Sequence, residues 1–213
     1  MIDNFDKIKE LLKFDNNDQF YFLQILQRKK DHKDTQKVNG TNNNSRLVKA
    51  YYIDSLEYYN FIKPEVIQLC DLFNARAGIN LNRRSYEKMA LQHLKKVTDQ
   101  IINKSFSKAC KAYNSVVGAY NNDSNKTWIL DIDDEQISPL MLKHIEYHCQ
   151  PKMEVDFDKV GIPVSYKNKK IITSLASKNG WHLITKPFNV LDFKKVYPEI
   201  EIHKNNPTNL YIP

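Results

Sequence analysis

The 213-residue sequence predicts an α+β protein built as a single domain with two sub-lobes. Residues 1–125 read as an α/β unit, and residues 126–213 as a β-α-β-β-α-β unit. Three observations predict this. The stretch Thr127-Trp-Ile-Leu-Asp-Ile-Asp-Asp134 is apolar and rich in strand formers, as a strand buried in a sheet would be. Two further apolar runs, 170–177 and 181–185, flank Lys178-Asn-Gly180, a turn of hairpin type. Residues 85–102 repeat apolar positions at helical spacing directly behind an alternating segment, 77–82, which gives strand then helix.

Along the chain, residues 3–13 have the apolar spacing of a helix behind an Asp-Asn start, and Gln19 to Gln27 reads as a strand. Residues 28–46 are polar and turn-rich, too poor in apolar groups to order themselves, and are expected to form a mobile loop. Lys49–Ile53 is a second strand, and Asp54 or Ser55 caps the helix behind it. Pro64 is expected to break that helix or start another, with Ile67, Leu69, Cys70 and Phe73 as the buried face. Ser85 caps the long helix to about Ile102, and another helix runs from Phe106 to Tyr120. In the second sub-lobe, strand 127–133 leads to a helix from Ser138 or Pro139 to about His148. Residues 150–169 are irregular apart from a short strand at Val164–Tyr166. After the hairpin, Asn189 opens a short helix ended by Pro198, Ile200–His203 is the last main strand, and Asn209–Ile212 is a final edge segment. In a β-α-β-β-α-β sheet the first and third strands, here 127–133 and 181–185, lie side by side, and both helices cover one face. The open face is then the natural place for a site.

Composition narrows the class. Hydrophobic residues make up 41% and charged ones 27%, an ordinary balance for a globular chain with a core. No apolar run reaches the roughly 18 residues of a membrane helix, and the acidic start Met1-Ile-Asp-Asn-Phe-Asp lacks the layout of a secretion signal. Cys70, Cys110 and Cys149 are odd in number and have no C-x-x-C spacing, so neither a zinc site nor a disulfide framework is indicated and a cytoplasmic setting is expected. The net charge of +7 makes polyanions, nucleic acid or nucleotides, plausible partners. Lys-rich proteins of A/T-rich genomes carry such a charge for no functional reason, so charge supports that reading without establishing it.

The chemistry centres on Asp131 and Asp133. Two residues apart on a strand, they are expected to point the same way. Like charges side by side repel, and Mg²⁺ or Mn²⁺ removes that cost because hard cations prefer carboxylate oxygens; a frayed, hydrated strand end is the plain alternative. His182, in Ser177-Lys-Asn-Gly-Trp-His182, enters the adjacent strand, and Ser177, Lys178 and His182 offer phosphate-compatible donors around a glycine. A third acid should come from the last strand, on the other side of strand 127–133. Glu201 is preferred to Asp192, which sits in the preceding helix; Glu199 and His203 share the face of Glu201. Arg84, at the expected start of the long helix, suits a phosphate, or is a surface arginine. His144 and His148 have a zinc-like i, i+4 spacing but read better as packed or surface histidines. Tyr51, Tyr52, Tyr58 and Tyr59 read better as core than as base-stacking residues.

Asp131-x-Asp133, Ser177-Lys-Asn-Gly-Trp-His182 and Ile200-Glu201 together resemble, in order and strand placement, the three motifs of the archaeo-eukaryotic primase superfamily, the primase–polymerases. The second sub-lobe, with Trp-His-Leu-Ile-Thr-Lys-Pro-Phe188, looks like a phage or mobile-element branch of that family. Lys178 stands where glycine is commoner, and Glu201 replaces the usual Asp. The resemblance implies a primase–polymerase-like fold with an RRM-like second unit, and nucleotidyl transfer from NTPs or dNTPs on a DNA or RNA template. Asp131, Asp133 and Glu201 would hold Mg²⁺ or Mn²⁺. Ser177, Lys178, His182 and Arg84 would bind the nucleotide, and a separate replicative helicase is an implied partner. Two other readings use the same residues differently: a non-catalytic nucleic-acid- or nucleotide-binding relative, and an RRM-like RNA-binding module. The latter would want aromatics where this sequence has acids.

Overall fold

A computed structural model of the chain describes residues 1–28, 45–119, 125–149, 155–157, 163–166 and 169–213. They form an α+β structure with two antiparallel sheets of five and four strands and a separate two-stranded ribbon. The chain divides into two compact units, residues 1–124 with 207–213, and residues 125–206.

The first unit starts with β1 (Ile2–Asp3) and α1 (Phe5–Lys9), shorter than the helix expected over 3–13. β2 (Gln19–Arg28) and β3 (Ser45–Ile53) pair antiparallel, Tyr21 opposite Ile53 and Arg28 opposite Ser45. Arg28, Ser45 and Arg46 are therefore strand residues, and the rest of the expected mobile loop lies outside the described residues. α2 (Leu56–Phe73) is capped by Ser55, whose hydroxyl accepts from the Tyr58 amide at 3.1 Å. The expected break at Pro64 does not occur, and the helix runs through it. A proline inside a helix costs roughly 3 kcal/mol, and here the buried row Tyr59, Ile62, Val66 and Cys70 holds the helix on the sheet across that point. This row replaces the expected face: of Ile67, Leu69, Cys70 and Phe73, only Cys70 is fully buried.

β4 (Arg76–Ser85) is longer than the expected strand, and α3 (Tyr86–Ile102) begins only after it. α4 (Phe106–Ala109) and α5 (Ala112–Ala119) stand where one helix was expected. The parallel strand–helix repeats expected of an α/β unit are absent from the described residues, because β2 pairs antiparallel with both β3 and β4. Phe20 and Phe22 of β2 join Met89, Val116 and Val117 in one core. Leu23, Ile25 and Ile79, of opposite parity, are buried on the other face, the side taken by α2.

The second unit opens with β5 (Trp128–Ile132), α6 (Pro139–Lys143) and a π-helical turn, His144–His148. The two-stranded ribbon of β6 (Val155–Phe157) and β7 (Pro163–Tyr166) follows, then the hairpin of β8 (Ile171–Ala176) and β9 (Trp181–Thr185). α7 (Val190–Val196) is capped by the Asn189 side chain, which accepts from the amides of Leu191 and Asp192, and β10 (Glu201–His203) closes the unit. The sheet order is β10-β5-β9-β8, all antiparallel, as the β-α-β-β-α-β order predicts. Leu130, Ile132 and Leu183 bury one face under Met141, Ile145 and Phe193 from the helical layer and Phe188 from the segment before α7.

The last strand, β11 (Thr208–Ile212), is not an edge of this second sheet. It lies in the first, between β1 and β4, in the order β1-β11-β4-β2-β3. The Asn4 side chain donates to the Asn209 carbonyl at 2.9 Å and the Asn4 amide to Leu210 at 2.9 Å, which ties the two ends of the chain together.

Arg84 is corrected by β4. It lies on the strand, 1% exposed, and not at a helix start. Its Nε donates to the Val117 carbonyl at 2.8 Å and its Nη1 to the Asn82 carbonyl at 2.5 Å, with the guanidinium near the Phe22 ring. Burial pushes its pKa down to about 10. Replacing Arg84 with Ala takes the donor away from both carbonyls and opens a core cavity, so it should lower unfolding stability by roughly 2–4 kcal/mol in urea titrations. An arginine serving only a ligand would leave the midpoint where it is.

Ser85 accepts from the Lys88 amide, and Asp18 accepts from the Glu87 amide at 2.9 Å. A hydrogen bond from Ser85, then the Glu87 amide, holds the Asp18 carboxyl below the usual carboxylate range. Its stabilisation is therefore present above the ordinary Asp value of about 3.9 and is lost as the pH falls through the lower folded value. Acid-unfolding curves of Asp18→Asn should be shallower than wild type below about pH 4 and parallel to it near neutrality.

Candidate functional site

Asp131 occupies a central strand, and both neighbouring strands place a polar side chain directly opposite it. His182 of β9 and Glu201 of β10 are its register partners. Antiparallel partners point to the same face, so one acid, one imidazole and a second acid line up across three strands. His182 Nε2 stands 3.4 Å from Asp131 Oδ1. His203, two residues along from Glu201 and so on the same face, places Nε2 3.4 Å from Glu201 Oε2 and 4.0 Å from Asp131 Oδ2. Its Nδ1 lies 3.0 Å from Asn206 Nδ2, which steadies the ring from behind. The two carboxylates therefore share one side of the sheet with two imidazoles, and each oxygen of Asp131 faces one of them.

Glu201 rather than Asp192 is the acid beside Asp131. Asp192 belongs to α7 in the helical layer, and an ion pair to Lys195 at 2.7 Å holds its carboxyl below the usual range. Asp133 departs from expectation: β5 ends at Ile132, so strand alternation no longer dictates where its exposed side chain points. Among the described residues, no three His, Cys, Asp or Glu side chains stand together as a ready-formed metal group.

The face that carries these groups is not open along its length. Ile129, Leu175 and Ile184 share it by register and are buried, as is His182, while the Asp131 side chain is 33% and the Glu201 side chain 73% exposed. The accessible groups collect at one end, where β5 finishes and β10 starts.

The hairpin turn joins them there. The Ser177 amide bonds the Gly180 carbonyl at 2.9 Å, and Gly180 lies against the backbone that leaves β5. A Cβ on Gly180 would overlap the Ile132 carbonyl oxygen and come within 2.8 and 2.9 Å of the Asp134 backbone oxygen and nitrogen. Close approach is what requires glycine here. Trp181 Nε1 adds a hydrogen bond to the Glu135 carbonyl at 3.0 Å. Half-buried Ser177 and exposed Lys178 are thereby held at the acid-rich end of the sheet.

The other sequence candidates are structural. Arg84 is in the first unit's core. His144 packs against the rings of Phe193 and Tyr197, and the side chain of His148 lies outside the described residues. Tyr51 and Tyr59 are buried, with the Tyr59 hydroxyl donating to the Phe5 carbonyl at 2.9 Å, and Tyr52 stacks on Phe22. The sequence places His203 on the face of Glu201 without giving it a role, and the structure sets its imidazole against both acids.

Gly180→Ala should force the turn away from β5 and cost roughly 1–3 kcal/mol, read by chemical denaturation. The same change at Gly118, where a Cβ meets nothing within 4 Å, should cost far less.

Comparison with protein-family models, with curated proteins and with solved structures gives no match to this chain.

Proposed function

We propose that this protein carries out metal-dependent nucleotidyl transfer, adding nucleoside monophosphates from NTPs or dNTPs to a nucleic-acid strand in the manner of a primase or primase–polymerase. The observation that carries this reading is the cross-strand register of His182, Asp131 and Glu201 at the end of the sheet where the Ser177–Gly180 turn folds in. The donor chemistry suits a hard divalent cation: Asp131 and Glu201, joined by exposed Asp133 two residues after Asp131 in the chain, would hold Mg²⁺ or Mn²⁺. When bound, such an ion offsets charge on the phosphates and on the attacking and leaving oxygens.

The chain's own groups have separate tasks. His182 sets the direction of the Asp131 carboxylate from one side. Ser177 and Lys178 present a hydroxyl and an ammonium to a triphosphate, and the Gly180 contact keeps them beside the acids. The basic surface, net charge +7, favours a DNA or RNA template through salt-sensitive backbone contacts.

One observation favours a second reading, a nucleic-acid- or nucleotide-binding protein without turnover. Each Asp131 oxygen already faces an imidazole, so the fold itself can satisfy that acid. Extension of a labelled primer–template with Mg²⁺ or Mn²⁺ separates the two. Wild type should extend, and the Asp131→Ala/Asp133→Ala double variant should lose about 100-fold or more. Extension that survives the double change excludes this mechanism. Salt-dependent binding with no extension by either protein selects the second reading.

A further inference from the structure

Helix α3 carries its large apolar residues on the side away from its own unit. Among the described residues of α3, Met89 alone is buried, in the core with Phe20, Phe22 and Val117. At 3.6 residues per turn, Leu91, Leu94, Thr98, Ile101 and Ile102 line the opposite side. Leu91, Leu94, Ile101 and Ile102 are each at least half exposed, and Phe106 at the start of α4 extends the row. Spacings of three and four residues are those a second helix fills, and a contiguous exposed apolar row on a soluble chain marks an interaction surface.

The charges beside this row indicate what fills it. Lys88, Lys95 and Asp99 lie along one flank. In an antiparallel helix pair related by a two-fold axis, the same flank of each helix meets. With Leu91 set opposite Ile102 of a second copy, Leu94 falls within about one residue's rise of Thr98. Lys95 then comes within about one residue's rise, 1.5 Å along the axis, of Asp99 of the second copy, and the contact occurs twice. A parallel pair would instead set Lys88 and Lys95 against the other flank, Ala90 and Val97, with no such complement.

We infer that α3 is the surface through which two copies of this chain associate, as an antiparallel helix pair. The contact is independent of the nucleotidyl-transfer reading. One helix pair buries at most about 1,000 Å², the lower limit for a specific interface, so the dimer should dissociate in roughly the micromolar range.

Sedimentation equilibrium of the full chain from about 1 to about 200 µM tests this. Wild type should show a monomer–dimer equilibrium, and Leu94→Glu should raise the dissociation constant about tenfold or more with an unchanged circular dichroism spectrum. Lys95→Asp and Asp99→Lys should each weaken the dimer several-fold, and the double swap, which leaves the core untouched, should restore it. A wild type that stays monomeric, a Leu94→Glu dimer of full strength, or a double swap that recovers nothing overturns the inference. So does a monomer that binds anionic vesicles through this row, which would assign it to a membrane surface.

Discussion

The second unit depends on one awkward group, a carboxylate on the central strand of a sheet. β5 must be apolar on the helical side, where Leu130 and Ile132 are fully buried, and the alternation that buries them sends Asp131 to the other face. An acid there, one-third exposed, needs partners, because a half-desolvated charge without them costs several kcal/mol. Both flanking strands supply them in register, an imidazole from β9 and, through the Glu201-Ile-His203 repeat, another from β10. The register is tightly specified, since a one-residue slip of either strand would carry its polar group into the helical core.

Backbone contacts lock that register. Gly180 packs on the Ile132 and Asp134 backbone, and Trp181 holds the Glu135 carbonyl, so the hairpin cannot slide along β5 without losing both. The first unit handles its own buried charge differently. Arg84 is held by main-chain carbonyls and an aromatic ring and serves the core, whereas the charges of the second unit stay partly exposed at a sheet end. Burial, more than residue type, distinguishes the two: Arg84 is closed off inside a core, while the carboxylates of the second unit reach solvent.

Local pattern made most of the second unit legible. Leu130 and Ile132 against Asp131, Asn-Gly180 between apolar runs and the Asn189 cap are signals within a few residues, and β-α-β-β-α-β then leaves few possible strand orders. What escaped reading was set by distant partners. β11 joins the first sheet because chain ends meet there, which no nearby residue reports. Arg83 and Arg84 look like the start of a helix, yet Arg84 continues the strand that Asn80 and Asn82 belong to, and its partners lie on β2 and α5. Pro64 is an unfavourable helix residue overruled by the buried row around it. The outward row of α3 has the same sequence periodicity as an inward one, and only Met89 on the other side tells them apart.

The same contrast between local and distant constraint runs through the candidate site. Asp131 and His182 sit on the two middle strands, fixed by hydrogen bonds along both edges, so their geometry is rigid. Glu201 and His203 sit on β10, which among the described residues is an edge strand paired on one side, and the Glu201 side chain is mostly exposed. A glutamate there has one more rotatable bond than an aspartate, so its carboxylate can approach Asp131 or turn out to solvent while the strand stays in register. His203, braced by Asn206, narrows that freedom by offering Nε2 to the inward position. The cluster is thus half fixed and half adjustable, and the adjustable half is its more exposed side.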